Sequence, residues 1–145
     1  MQVEFLVIAG LLSFLAAVLH IGVIIGGPGW YRFFGAGEDL AQLSEKGSLK
    51  PTLITLFIAS VLALWGAYAW SGAGLVPKMP LLKWALVAIT AVYLIRGVGG
   101  LVAPFVSTYP LVKQNSIGFW IWSSVICLII GAFHLMGTLS KWSAL

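Results

Sequence analysis

Four long apolar runs divide this chain, separated by segments where Gly, Pro and charged residues collect. Crossing a bilayer core takes about 20 apolar residues in a helix. Runs of that length lie at residues 5–25, 52–70, 81–102 and 117–139. Membrane β-strands would be about 10 residues long with alternating polarity, and no segment here alternates. In lipid every backbone polar group has to be satisfied internally, which leaves helices. The expected fold is an all-α membrane protein. It is a single domain over residues 1–145, with four transmembrane helices in an up-down-up-down bundle.

Helix signals refine the segments between. Pro51 suits the first turn of the second span, where a missing N–H costs nothing. Gly72, Gly74, Pro77 and Pro80 punctuate a tight connection between the second and third spans. Pro104 and Pro110 mark the connection before the fourth. The connection over residues 26–50 is the longest. Its second half, EDLAQLSEKG, reads as a short helix, with Glu38 and Asp39 at the positive end of the dipole and Lys46 before Gly47 at the other. Trp30, Tyr31, Phe33 and Phe34 precede it, so this loop is expected to lie along the membrane interface. The flank before the first span holds Glu4 and no Lys or Arg, which argues against a cleaved signal peptide.

Composition agrees. Hydrophobic residues make up 61% of the chain and charged ones 8%, against roughly 45–50% and 25% in soluble proteins. A globule this small cannot hide so much apolar surface, so membrane lipids are its expected surroundings, in a plasma or inner membrane. The net charge of +4 is spread without any basic run, which excludes a nucleic-acid surface. Orientation is balanced. Lys78, Lys83 and Lys141 fall on one side, and Arg32, Lys46, Lys50 and Lys113 on the other. The seven Trp residues gather mainly near span ends, as an interfacial belt does.

Helix contacts in lipid favour small residues, with hydroxyls and His bonding across. Such stripes occur on all four spans: Ser13, Ala16, Ala17 and His20; Thr52, Thr55, Ala59, Ala63, Gly66 and Trp70; Tyr93, Arg96, Gly99 and Gly100; Ser124, Cys127, Gly131, His134 and Thr138. Packing is the plain reading of these stripes, and they also mark where a site would lie. RGVGG at residues 96–100 resembles a phosphate-binding glycine motif only in composition. It lies inside a span with no preceding strand, so it reads as helix packing.

Arg96 carries the most information. A charge at that position costs at least about 2.5–3.5 kcal/mol to place in lipid, and no span holds an acid to pair with it. It could run its stem along the helix to the interface, pair with Glu38 or Asp39 from the first loop, or meet an outside anion. In either of the last two cases Tyr93, one turn earlier, and His20, as a neutral hydrogen-bond partner, are its expected neighbours. Counted from span midpoints, His20 and Arg96 each stand about 7 Å towards the long loop, while His134 is displaced the other way, towards Glu4. The two His are then on the order of 15 Å apart in depth, too far for one haem iron. A zinc site needs three or more ligands together. No metal or cofactor is expected, and His134 with Glu4 forms a second polar position.

Three function classes follow. The first is a ligand-binding bundle for a lipid-like or anionic molecule near Arg96, or an accessory subunit of a larger assembly or homo-oligomer. The second is a small oligomeric transporter or channel, though the inverted repeats common in transporters are not evident. The third is a membrane-embedded enzyme on a lipophilic substrate. No catalytic residue is assigned, because the sequence shows no nucleophile–base pair and no paired carboxylates.

Overall fold

The structure is a computed structural model, and it describes residues 4–145. All regular elements among the described residues are helices. They are α1 (Phe5–Gly26), α2 (Pro28–Phe33), α3 (Glu38–Glu45), α4 (Lys50–Gly72), α5 (Leu82–Val106), α6 (Pro110–Lys113) and α7 (Ile117–Ser140). The four long ones have 22, 23, 25 and 24 residues and mean hydropathies of 2.5, 1.9, 1.9 and 1.9. At 1.5 Å per residue each exceeds the roughly 30 Å of a bilayer core. All four are long and apolar enough to cross a membrane, as in a multi-pass membrane protein.

The distribution of polarity fits that solvent. Leu15, Val18, Phe57, Ile95, Val98 and Ile129 face outward, while Ser13, Thr55, Thr90, Ser124, His134 and Thr138 are buried. In water this arrangement would expose a large apolar surface. In lipid it places the hydroxyls and the imidazole where they can bond across helices.

Packing is most extensive between α1 and α4 and between α5 and α7; α1 also lies on α7, and α4 on α5. Glycines set the closest approaches. A Cβ on Gly97 would stand 2.5 Å from Leu128 Cγ and 3.2 Å from the Leu128 backbone nitrogen. One on Gly137 would stand 2.6 Å from Leu6 Cγ and 2.9 Å from the Leu6 backbone nitrogen. At Gly10 it would run into the Trp70 ring, which donates from Nε1 to the Val7 carbonyl at 3.1 Å. Of the two glycines on the third stripe, Gly100 turns inward and Gly99 turns out, while Gly97, outside the expected stripe, is buried.

Three features depart from the expected segments. α5 continues through Pro104 to Val106 instead of ending near residue 102. The residue one turn earlier is Gly100, and the freed end is closed by Lys113, whose Nζ donates to the Pro104 carbonyl at 3.0 Å. The Gly- and aromatic-rich stretch contains a helix, α2, started by Pro28 after Gly27 at φ 74°. A further short helix, α6, follows Tyr109. The expected helix at EDLAQLSE is present as α3, followed by Lys46 and by Gly47 at φ 73°.

α2 and α3 form a cap rather than an open loop. Tyr31 is buried with Val23 and Ala41, and its hydroxyl shares a 3.2 Å hydrogen bond with Thr55 of α4. Across the chain, Gln114 Nε2 donates to Asp39 at 3.0 Å, tying the cap to the α6–α7 segment. On the α4–α5 connection, Ser71 Oγ accepts from the Met79 amide at 3.0 Å and donates to the Pro77 carbonyl at 2.9 Å.

Gly137→Ala forces the Leu6 backbone away and should cost about 1–3 kcal/mol, as overpacking does. At Gly99 a Cβ meets nothing within 4 Å, so Gly99→Ala should leave stability unchanged or raise it by up to about 1 kcal/mol through helix propensity. Thermal unfolding of both variants in one detergent checks this. Equal losses would show that these close approaches do not carry the packing.

Candidate functional site

Two polar clusters lie inside the span region, with an ionic cluster on the cap. The first surrounds Arg96. Because α5 runs to Val106, Arg96 stands two residues past the helix midpoint, Leu94. That is about 3 Å along the axis, closer to the middle than the 7 Å expected from the shorter span. Its guanidinium reaches along α5 towards the helix C-terminus, where a Cβ on Gly100 would collide with Nη1 and with Ser124 Oγ. The absent side chain of Gly100 is therefore what admits the group. Nη1 donates to Ser124 Oγ and Nη2 to Ser123 Oγ, each at 3.1 Å. The guanidinium carbon lies 4.9 Å from the Trp120 ring centroid, within cation–π range.

These partners hold the group without cancelling its charge. A guanidinium has five N–H donors, and two are used on neutral hydroxyls. No carboxylate pairs with it among the described residues. The side chain is half-buried, flanked by exposed Ile95 and Gly99.

Neither loop carboxylate reaches it. Glu38 takes bonds from Arg32 Nε at 3.0 Å and Nη2 at 2.9 Å, Glu45 takes Arg32 Nη1 at 2.6 Å, and Asp39 accepts from Gln114. A nearer cation on the same cap out-competes one inside the bundle. His20 does not join Arg96 either: its Nδ1–H donates to the Ala16 carbonyl on its own helix at 2.7 Å. The reason is topological, because α1 is flanked by α4 and α7 and lies across the bundle from α5.

Tyr93 belongs to the second cluster. Its hydroxyl shares a 2.9 Å hydrogen bond with Ser13 Oγ, which also lies 3.3 Å from His134 Nε2. The Tyr93 and His134 rings stack with centroids 5.3 Å apart, and Trp65 meets Tyr93 edge-on at 5.1 Å. Ser13 and His134 are 0% exposed and Tyr93 4%. Three helices, α1, α5 and α7, thus meet through one polar knot. His134 and Glu4 stay apart: Glu4 is exposed and lies 3.5 Å from Lys141.

Ser13 beside His134 is the nucleophile–base pairing that sequence alone did not show. A working pair also needs an orienting partner on the other imidazole nitrogen and access for substrate. His134 Nδ1 has no such partner among the described residues, and both side chains are sealed. No group of three His, Cys, Asp or Glu side chains converges among the described residues. Ser123 and Trp120 are the site residues that the sequence reading missed. Their signal was a hydroxyl pair in an otherwise apolar run at the depth of Arg96.

On the cap, a cleft of about 250 Å³ opens between Arg32, Gly37 and Glu38 on one side and Gln114, Asn115, Ser116 and Phe119 on the other. Hydrogen bonds from Arg32 hold the carboxyls of Glu38 and Glu45 below the usual range and raise the guanidinium above its own. Compared with protein-family models, with curated proteins and with solved structures, the chain matches none.

Two expectations follow. Glu38 and Glu45 bind protons less readily in the folded cap than in an unfolded chain. Their contribution is therefore complete above the ordinary glutamate pKa of about 4.3 and is lost as pH falls through their lowered values. Hydrogen exchange over residues 38–45, corrected for intrinsic rates, should lose protection on acidification below that range. Arg32→Gln should lose it already at neutral pH; protection independent of both changes would show that the ion pairs do not hold the cap. In the knot, Ser13→Ala and Tyr93→Phe should each destabilise the protein by about 1 kcal/mol. The double variant should lose less than their sum, because the two remove one shared bond. Strict additivity would argue that the bond is not formed.

Proposed function

We propose that this protein is an up-down-up-down four-span bundle, one domain over residues 1–145, that holds an anionic, lipid-like ligand against Arg96. Alternating direction is supported by the short connections from α4 to α5 and from α5 through α6 to α7, each joining helices that pack side by side. An interfacial position for the cap is supported by exposed Trp30 and Phe33 beside Arg32, Lys46 and Lys50, since aromatic rings and basic side chains gather at headgroup level.

One observation carries the ligand reading. Arg96 is a permanent cation held near the middle of an apolar helix by two neutral hydroxyls and an indole face, with donors left over. A buried charge without a counter-charge is unfavourable, and a carboxylate or phosphodiester accepting from the remaining N–H groups relieves it with charge-assisted bonds. The guanidinium is turned towards the cap end, where an anionic headgroup would approach. Ile95, Val98 and Ile121 on the two helices that hold Arg96 face outward, so the cation borders apolar surface that a lipid can cover. An intramembrane ionisable residue with this setting marks a site more often than a packing position. The sealed Ser13–His134 pair gives the enzymatic reading less support, because no substrate path leads to it.

The test is native mass spectrometry of protein released from nanodiscs that contain phosphatidylglycerol and phosphatidylcholine. The wild type should retain the anionic lipid selectively. Arg96→Gln should weaken that retention about tenfold or more, the worth of a charge-assisted hydrogen bond, with unchanged helix content by circular dichroism. Ser123→Ala/Ser124→Ala should weaken it less, since the cation remains. Equal lipid retention by wild type and Arg96→Gln would overturn the reading.

A further inference from the structure

Two buried polar atoms on α7 have no hydrogen-bond partner among the described residues: His134 Nδ1 and Thr138 Oγ1. His134 is 0% exposed and Thr138 3%. Buried polar groups in folded proteins are nearly always satisfied, by protein or by ordered water. Two unpaired atoms on adjacent turns of one helix therefore point to a shared small partner. Residues four apart on a helix lie on the same face with Cβ atoms about 5–6 Å apart. Side chains so placed on one face can share a single molecule that makes two hydrogen bonds of about 2.8 Å. It must be able both to donate and to accept, because a neutral imidazole nitrogen takes either role and a hydroxyl takes both.

We infer that one water molecule binds between His134 Nδ1 and Thr138 Oγ1 and completes a hydrogen-bonded chain that runs Tyr93–Ser13–His134–water–Thr138. The first two links are the 2.9 Å and 3.3 Å contacts of the knot. The chain is self-consistent in two senses. In one, Tyr93 donates to Ser13, Ser13 to Nε2, Nδ1–H to the water, and the water to Thr138. In the other every donor and acceptor is reversed, with Thr138 donating to the water and Nε2–H to Ser13. Both leave His134 neutral and every internal link made. Thr138 is also the end of the chain nearer the surface, one turn before Lys141 and its partner Glu4. Water would exchange from that end. This site is independent of the Arg96 ligand, which lies on the other half of α7 at Ser123 and Ser124.

The experiment uses protein labelled with ¹⁵N-histidine in nanodiscs, with His20→Asn to assign the two ring systems. Magnetisation transfer from water to the His134 ring is then recorded. The wild type should give a water cross-peak at His134, Thr138→Val should lose it, and Thr138→Ser should restore it. The position of the His134 resonances in each variant reports whether the knot is still formed. The wild-type cross-peak decides the matter even if the Val variant fails to fold. Three results would overturn the inference. One is a resolved His134 signal with no water transfer. Another is transfer that persists in Thr138→Val with the knot intact. The third is a direct His134–Thr138 hydrogen bond seen as coupling without water.

Discussion

Helices in an apolar solvent gain little from hiding apolar surface against one another, because a lipid tail offers the same contact. What holds this chain together is close backbone approach, and the rest of the structure depends on it. At Gly97, Gly100 and Gly137 the missing side chains are filled by Leu128, by Ser124 with Arg96, and by Leu6. Those approaches bring hydroxyls and the imidazole near enough to bond, so small residues and polar residues act as one system. Larger side chains on the same faces would separate the helices and strand the polar groups that now find each other.

The two polar clusters use that closeness in opposite ways. Around Ser13, Tyr93 and His134 the neutral groups face one another and are sealed. Around Arg96 a full charge sits at the edge of the α5–α7 groove and is only partly answered by hydroxyls and an indole. Neutral groups with partners strengthen a low-dielectric core. A permanent charge without a counter-charge does not, and that contrast supports the proposed ligand at Arg96 and none at the sealed knot.

Much of the architecture was legible because lipid imposes a length and a composition on every span. The four runs and the helix at EDLAQLSE follow from periodicity and end signals and are found close to their expected bounds, the third span running on to Val106; of the third stripe, Gly99 turns outward. What escaped depended on neighbours distant in sequence. Pro104 looked like a terminator, but Gly100 behind it and Lys113 ahead of it let the helix continue. Glu38 and Asp39 looked like partners for Arg96 because no span holds an acid and the first loop could fold down to it; in the fold those carboxylates are taken by Arg32 and Gln114. Tyr93 and Arg96 share a helix and are three residues apart, yet one faces the bundle axis and the other the groove. A one-dimensional stripe cannot separate those directions, whereas knowing that α7 lies on α5 separates them at once.

The pairing of helices has one more consequence, for the order in which the chain can assemble. The two most extensive packings, α1 with α4 and α5 with α7, each join long helices that follow one another along the chain. Each pair closes a loop within its own half of the chain, 23 residues between α1 and α4 and 10 between α5 and α7, and contacts close in sequence cost less entropy to form than distant ones. The N-terminal pair can form once α4 is in place, without waiting for the second half of the chain to be made. Ser13 then presents a lone hydroxyl on the face that α5 and α7 will meet. In the folded chain that hydroxyl meets Tyr93 and His134, a polar match in surroundings where apolar faces carry no address.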